Sequence, residues 1–221
     1  MTSLRDAIIN RFQAAPAPGR RSAPGTTPED TADTLPAGRR RGDQDLNPDM
    51  DPKQPLLAAA VLVPLMERDT GTTVLLTLRA AHLSDHAGQV SFPGGRIDPG
   101  DVDAEAAALR EAEEEIGLAR DHVHLIGRLD TYVTRTGYEV TPCVGLVTPP
   151  LELAPDPREV AAVFEVPLAF FRDPRNRRRE SRMFQGRERH FYVYPWEDRY
   201  IWGATAGMLS NLADVLGEEE N

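Results

Sequence analysis

Residues 110–117 read Arg-Glu-Ala-Glu-Glu-Glu-Ile-Gly, which places Glu111, Glu113, Glu114 and Glu115 within five positions. From Asp98 to Glu115 there are eight acidic residues and a single base, Arg110. Like charges three or four apart on a helix repel, at a cost of roughly a few tenths of a kcal/mol per pair. On a 3.6-residue period Glu111, Glu114 and Glu115 share one face and Glu113 points away from it. Carboxylates with no nitrogen or sulfur donor among them suit a hard cation such as Mg²⁺ or Mn²⁺. The competing reading of such a run is a solvated acidic face. A bound cation would turn the mutual repulsion into attraction.

The residues ahead of this run favour the cation. The stretch Phe-Pro-Gly-Gly-Arg-Ile-Asp-Pro-Gly-Asp-Val-Asp (92–103) is a proline and double-glycine turn followed by a loop into the helix. Gly94 and Gly95 let the backbone approach a ligand closely, and a carbonyl of this turn can face the carboxylates. The helix is predicted over residues 104–116, with Asp101 or Asp103 as N-cap and Gly117 as C-cap. Ala104, Ala107 and Ala108 continue the glutamate face, and Leu109, Ala112 and Ile116 are assigned to the side that meets a sheet.

The elements that must position this helix follow from short apolar runs separated by turn residues. Strands are predicted at 56–65, 73–80, 89–92, 123–130, 140–147, 160–168 and 189–196, and a closing helix over 204–216. Strands and helices interleave without regular βαβ alternation, so the class is α/β, with a mixed sheet and helices on its faces. Leu4, Ile8, Ile9 and Phe12 form an apolar stripe, read as a short helix over 1–15 docked on the body or on a partner. Residues 16–55 hold eight of the nineteen prolines and few large apolar residues, and read as a flexible linker. The main domain is expected over 56–215, with 216–221 as an acidic tail.

Composition narrows the function classes. A net charge of −10 disfavours nucleic acid and anionic membrane as partners. No apolar run approaches the ~20 residues that span a bilayer, and the N-terminus lacks the pattern of a secretory signal. The only cysteine, Cys143, has no internal partner and sits in an apolar run. It is expected in the core, and the localisation expected is cytoplasmic. His82 and His86 lack metal-binding spacing. Arg172, Arg175, Arg177, Arg178, Arg179 and Arg182 are expected in a mobile solvated loop. Tyr132 and Tyr138 are expected as core or strand-pair residues, with stacking on adenine as the alternative.

The sequence resembles a Nudix hydrolase. That family's signature runs Gly, five residues, Glu, seven residues, then Arg-Glu-apolar-x-Glu-Glu-x-Gly-apolar. Gly95 begins it here, and Arg110 through Leu118 end it with each position matched if Ala112 counts as apolar. Asp101 stands where the family has Glu, and the spacing to Arg110 is one residue longer. Residues 75–95 resemble the additional motif of the coenzyme A pyrophosphatase branch through Leu75, Leu76, Thr77, Arg79, Ala80, Gly88 and Phe92 to Gly95, with Ser84 in place of an arginine.

The resemblance implies a Nudix α/β/α sandwich carrying a short N-terminal helix and flexible linker. It implies hydrolysis of the diphosphate of coenzyme A to 3′,5′-ADP and 4′-phosphopantetheine with Mg²⁺ or Mn²⁺. Glu111, Glu114 and Glu115 are the implied metal ligands, with the Gly95 carbonyl as a fourth. Glu111 is the first choice of general base and Glu159 the second, Arg110 orients a carboxylate, and Arg79, Gly94 and Gly95 contact substrate. The partner expected is a small molecule, and homodimerisation is left open. The alternatives are another nucleoside diphosphate derivative, such as ADP-ribose, and a nucleotide-sensing module without catalysis.

Overall fold

The computed structural model describes residues 4–14, 40–83, 86–149 and 152–217. Ser84, the expected linker as far as residue 39 and the tail beyond residue 217 lie outside the described residues.

The long apolar runs become the centre of a mixed sheet. β2 (Leu57–Arg68) pairs in parallel with β8 (Tyr138–Val147) and antiparallel with β3 (Gly71–Arg79). Outward from these, the order among the described residues is β1 (Arg40–Gly42), β7 (Thr131–Val133), β8, β2, β3 and β4 (Val90–Ser91). β5 (Gly94–Arg96) adds to β2, β6 (Val123–Arg128) to β8 and β9 (Val160–Pro167) to β3. Successive residues of a strand face opposite sides, and β2 divides accordingly. Ala60, Leu62 and Met66 pack under α2 (Ala104–Ile116), whereas Ala59, Val63 and Leu65 join the core on the other side.

That second core is closed by α1 (Leu4–Ala14), α3 (Leu168–Arg172) and α4 (Gly203–Leu216). A small antiparallel sheet of β10 (Arg178–Phe184), β11 (Arg187–Trp196) and β12 (Arg199–Trp202) packs with them. The architecture is the α/β/α sandwich with a mixed sheet. Ile8 is 3% exposed, and Phe12 lies over Gly127, so α1 docks on the body. Cys143 is wholly buried beneath α2, where loss of hydration pushes its thiol up to about 12.

Three expectations are corrected. Residues 40–55 are not featureless linker: β1 pairs with β7, Met50 is buried, and Asn47 bonds both backbone groups of His190. Arg41 also pairs with Asp130 and Asp214. Polar anchoring of this kind leaves little trace in hydrophobic periodicity. The arginine run is not a mobile loop either. Arg178 and Arg179 lie in β10 with Arg182, whose guanidinium faces the rings of Phe191, Tyr200 and Trp202; Arg177 bonds Ser210 and Asp214. Finally, Ala112 and Ile116 face the sheet as expected, but Ala104, Ala107 and Ala108 face it too rather than away from it, while Leu109 is only partly buried against it. Their small side chains let α2 lie close to β2.

Candidate active site

α2 starts at Asp103, whose carboxylate accepts the Ala106 N–H at 2.7 Å, and stops at Gly117 in the left-handed region. Because the alanine face meets the sheet, the last two turns carry Glu111 and Glu115 inward beside β5. Glu115 is 4% exposed, whereas the Glu114 side chain is 61% exposed. The turn before β5 is pinned by the Leu62 N–H donating to the Pro93 carbonyl at 2.9 Å. Gly94, at φ 153°, donates its N–H to Glu115 Oε2 at 3.1 Å. A Cβ on Gly95 would come within 2.6 Å of the Glu111 carboxyl group, so any larger residue here would displace that carboxylate from the turn.

Arg79 reaches the same corner from the end of β3. The β3–β9 register shifts between Leu78 and Arg79, a bulge of the kind that re-aims a side chain. Arg79 Nη1 stands 3.9 Å from Glu115 Oε1, and its Nε is buried without a hydrogen-bond partner. Glu159 lies in the turn ahead of β9, one residue outside the predicted strand, and its carbonyl accepts the Ala80 N–H. Its carboxylate is near enough to raise both Glu111 and Glu115.

Arg110 organises the outer side of the helix. It forms two bonds to Asp101, at 3.0 and 2.9 Å, and single bonds of 3.0 Å to Glu111 and Glu114. Its fifth contact is the Arg96 carbonyl at 3.2 Å. The shorter acid and longer loop at Asp101 therefore still deliver a carboxylate to Arg110. That bond holds the Asp101 carboxyl below its ordinary range. Of the two N-cap candidates Asp103 takes the cap, and Asp101 instead anchors Arg110; the signal was an acid nine positions before Arg110.

Burial, first, and then neighbouring carboxylates push the Glu115 carboxyl up to about 7, against the Gly94 N–H and Arg79. Burial also raises Glu111, with Arg110 opposing it. Among the described residues, no three His, Cys, Asp or Glu side chains already converge as a metal cage. Glu111 and Glu114 instead share Arg110. The donor chemistry nevertheless fits a hard divalent ion: the side chains offer oxygen only, and Glu111, half-buried, and Glu115, buried, lie near enough to repel one another beside the Gly94–Gly95 backbone. Of the other singled-out residues, Tyr132 is buried and donates its hydroxyl to Asp43. His82 and His86 bond the Arg158 carbonyl and the Gln89 side chain, respectively.

The chain is similar to several known proteins. The NUDIX domain model matches residues 56–185. The uncharacterised Nudix hydrolase NudL of Escherichia coli K12 is 43% identical over 160 residues, covering 72% of this chain and 82% of its own length. NudL of the O7:K1 strain is 42% identical over the same coverage. Among solved structures, an Ap4A hydrolase of Caenorhabditis elegans superposes with a TM-score of 0.44 at 22% identity, covering 50% of this chain and 80% of its own. DR0079 of Deinococcus radiodurans gives 0.47 at 14% identity, covering 73% and 86%. The extent of the domain match and the identity to NudL establish that the chain belongs to the NUDIX domain family.

Proposed function

We propose that this Nudix hydrolase cleaves the diphosphate of coenzyme A, or of its acyl or oxidised forms, to 3′,5′-ADP and 4′-phosphopantetheine or the corresponding derivative. The observation that carries the reading is Arg79. It belongs to the 75–95 stretch that resembles the coenzyme A pyrophosphatase motif, its Nη1 stands at the glutamate corner 3.9 Å from Glu115 Oε1, and its Nε has no hydrogen-bond partner among the described residues. A phosphate oxygen of the substrate would satisfy that donor through a charge-assisted bond.

Glu111, Glu114, Glu115 and the Gly95 carbonyl are the proposed ligands of Mg²⁺ or Mn²⁺. Bound there, a divalent ion neutralises phosphoryl charge and lowers the pKa of water. The chain's own groups do the rest. Arg79 orients the diphosphate, and Asp101 keeps Arg110 directed at the helix carboxylates. The carboxylate of Glu111, or alternatively of Glu159, accepts the proton of the water that attacks phosphorus as the bond to the leaving phosphate oxygen breaks. Burial raises Glu111 toward the range where a carboxylate is an effective base. No helix is long and apolar enough to cross a membrane among the described residues. The single buried cysteine supports the cytoplasm as the proposed location.

The test is a product assay with Mg²⁺ or Mn²⁺ and, separately, coenzyme A, ADP-ribose, NADH and nucleoside triphosphates. Selective release of 3′,5′-ADP is expected. Cleavage of other substrates alone would retain the hydrolase and overturn the assignment of coenzyme A. Metal binding without cleavage of any of them would favour a sensor.

A further inference from the structure

Most arginines of this acidic chain are paired with carboxylates among the described residues, but three cations near the active site are not. Arg96 follows Gly95 in β5, and its side chain projects to the face opposite α2. There its Nη2 donates to the Tyr138 hydroxyl at 3.1 Å, with the guanidinium 5.7 Å from the ring centroid. Tyr138 follows Gly137, against which Lys53 packs. The Lys53 N–H donates to the Arg135 carbonyl, and the Arg135 guanidinium lies 4.3 Å from the ring centroid of Phe184 at the tip of the β10–β11 hairpin. The path from Glu111 through Gly95 and Arg96 to Tyr138, Lys53, Arg135 and Phe184 is contiguous.

None of Lys53, Arg96 and Arg135 has a carboxylate at ion-pair distance among the described residues, and all three are exposed. The acids beside them form their ion pairs elsewhere, Glu139 with Arg40, Asp49 with Arg187 and Arg189, and Asp98 with Arg110, although Asp98 also attracts Arg96 from beyond ion-pair distance. Phe184 is 40% exposed, too much for a core residue. Unpaired cations between accessible aromatic rings are what a phosphorylated nucleoside requires: charge for a phosphate monoester, and a ring face for the base.

We infer that Lys53, Arg96, Arg135, Tyr138 and Phe184 form a subsite for the phosphorylated nucleoside end of the substrate and recognise a phosphate monoester remote from the bond that is cleaved. The subsite deepens the proposed coenzyme A reading and rests on it for the substrate. It also explains why an acidic protein leaves cations uncompensated at this edge: they select substrates by an extra phosphate that takes no part in the reaction.

The experiment compares 3′,5′-ADP with 5′-AMP by calorimetric titration of the full chain, at one fixed Mg²⁺ concentration, in wild type and in the Lys53→Ala/Arg135→Ala double variant. Wild type should bind 3′,5′-ADP about 10-fold tighter, as a lost charged contact implies, and the double variant should lose that preference. Equal affinities in wild type, no binding of either nucleotide, or a preference that survives in the variant would each overturn the subsite. In parallel, the KM ratio of dephospho-coenzyme A to coenzyme A should fall toward one in the variant. A nucleotide preference without coenzyme A cleavage sinks the assignment of coenzyme A as substrate and keeps the subsite; cleavage of coenzyme A indifferent to the 3′-phosphate does the reverse.

Discussion

The three box glutamates lie on one helix but do not share one environment. Glu115 is enclosed and held by the Gly94 N–H, Glu111 is half-buried against Gly95, and Glu114 stands in solvent with Arg110. Glu115→Gln and Glu114→Gln should each reduce turnover at least ~100-fold, as for loss of a group that stabilises transition-state charge. Steady-state kinetics at saturating metal provide the check, and near-normal rates in both would remove the proposed metal site. Asp101 acts through Arg110 and is a positioning residue. With Asp101→Asn the guanidinium loses its charged anchor and is left to Glu111 and Glu114, in competition with a cation. Mn²⁺ binding measured by calorimetry should then weaken about 10-fold. The motif exposed the glutamates because their spacing is local; Asp101 required the fold of the 96–103 loop to show its partner.

At the scale of elements, legibility followed hydrophobic period. β2, β3, β8, α2 and α4 lie close to where apolar spacing placed them, since each buries a periodic set of side chains. β10 and β1 escaped. Arg-Arg-Glu-Ser-Arg-Met-Phe has no apolar alternation, and its strand is held by backbone pairing with β11 and by Arg182 against aromatic rings. The sheet-facing side of α2 is broader than its pattern indicates for a related reason: Ala112 and Ile116 lie there as expected, but Ala104, Ala107 and Ala108, which read as spacers, are contact surface as well. Ends of elements also carry their own electrostatics. Glu165 on β9 accepts bonds from Arg68, at the end of β2, and from Thr73 on β3. Arg68 holds its carboxyl below the ordinary range, although partial burial opposes this. A depressed folded value contributes stability above the unfolded pKa of about 4.3, and that contribution is lost as pH falls through the folded value. Glu165→Gln should therefore flatten the acid-side decline in melting temperature between about pH 5 and pH 3. An unchanged decline would show that this pair does not couple the three strands to pH.

For the whole molecule, the question is how far the folded unit extends beyond the 56–185 match. Composition placed its start at residue 56, because proline-rich polar sequence cannot bury much apolar surface. The structure begins earlier. Ile8 enters the core beside α4, Arg5 pairs with Glu67, and Asn47 fastens the 43–50 segment to β11. Arg41 joins β7 to α4 through Asp130 and Asp214. These contacts unite segments that a linear reading keeps separate, and they brace the side of the sheet opposite α2. Removing residues 1–52 forfeits a buried isoleucine, worth about 2–5 kcal/mol by the cost of its truncation, together with the polar anchors. At about 2–4 °C per kcal/mol for a chain of this size, the melting temperature should fall by roughly 10 °C or more. Removing residues 15–39 instead, with a short flexible bridge in their place, preserves every contact named here and should leave the melting temperature within about 2 °C of wild type. Differential scanning calorimetry separates the two. Equal melting temperatures for wild type and both deletions would mean that the N-terminal helix and residues 40–52 are appended to the sandwich rather than part of its core.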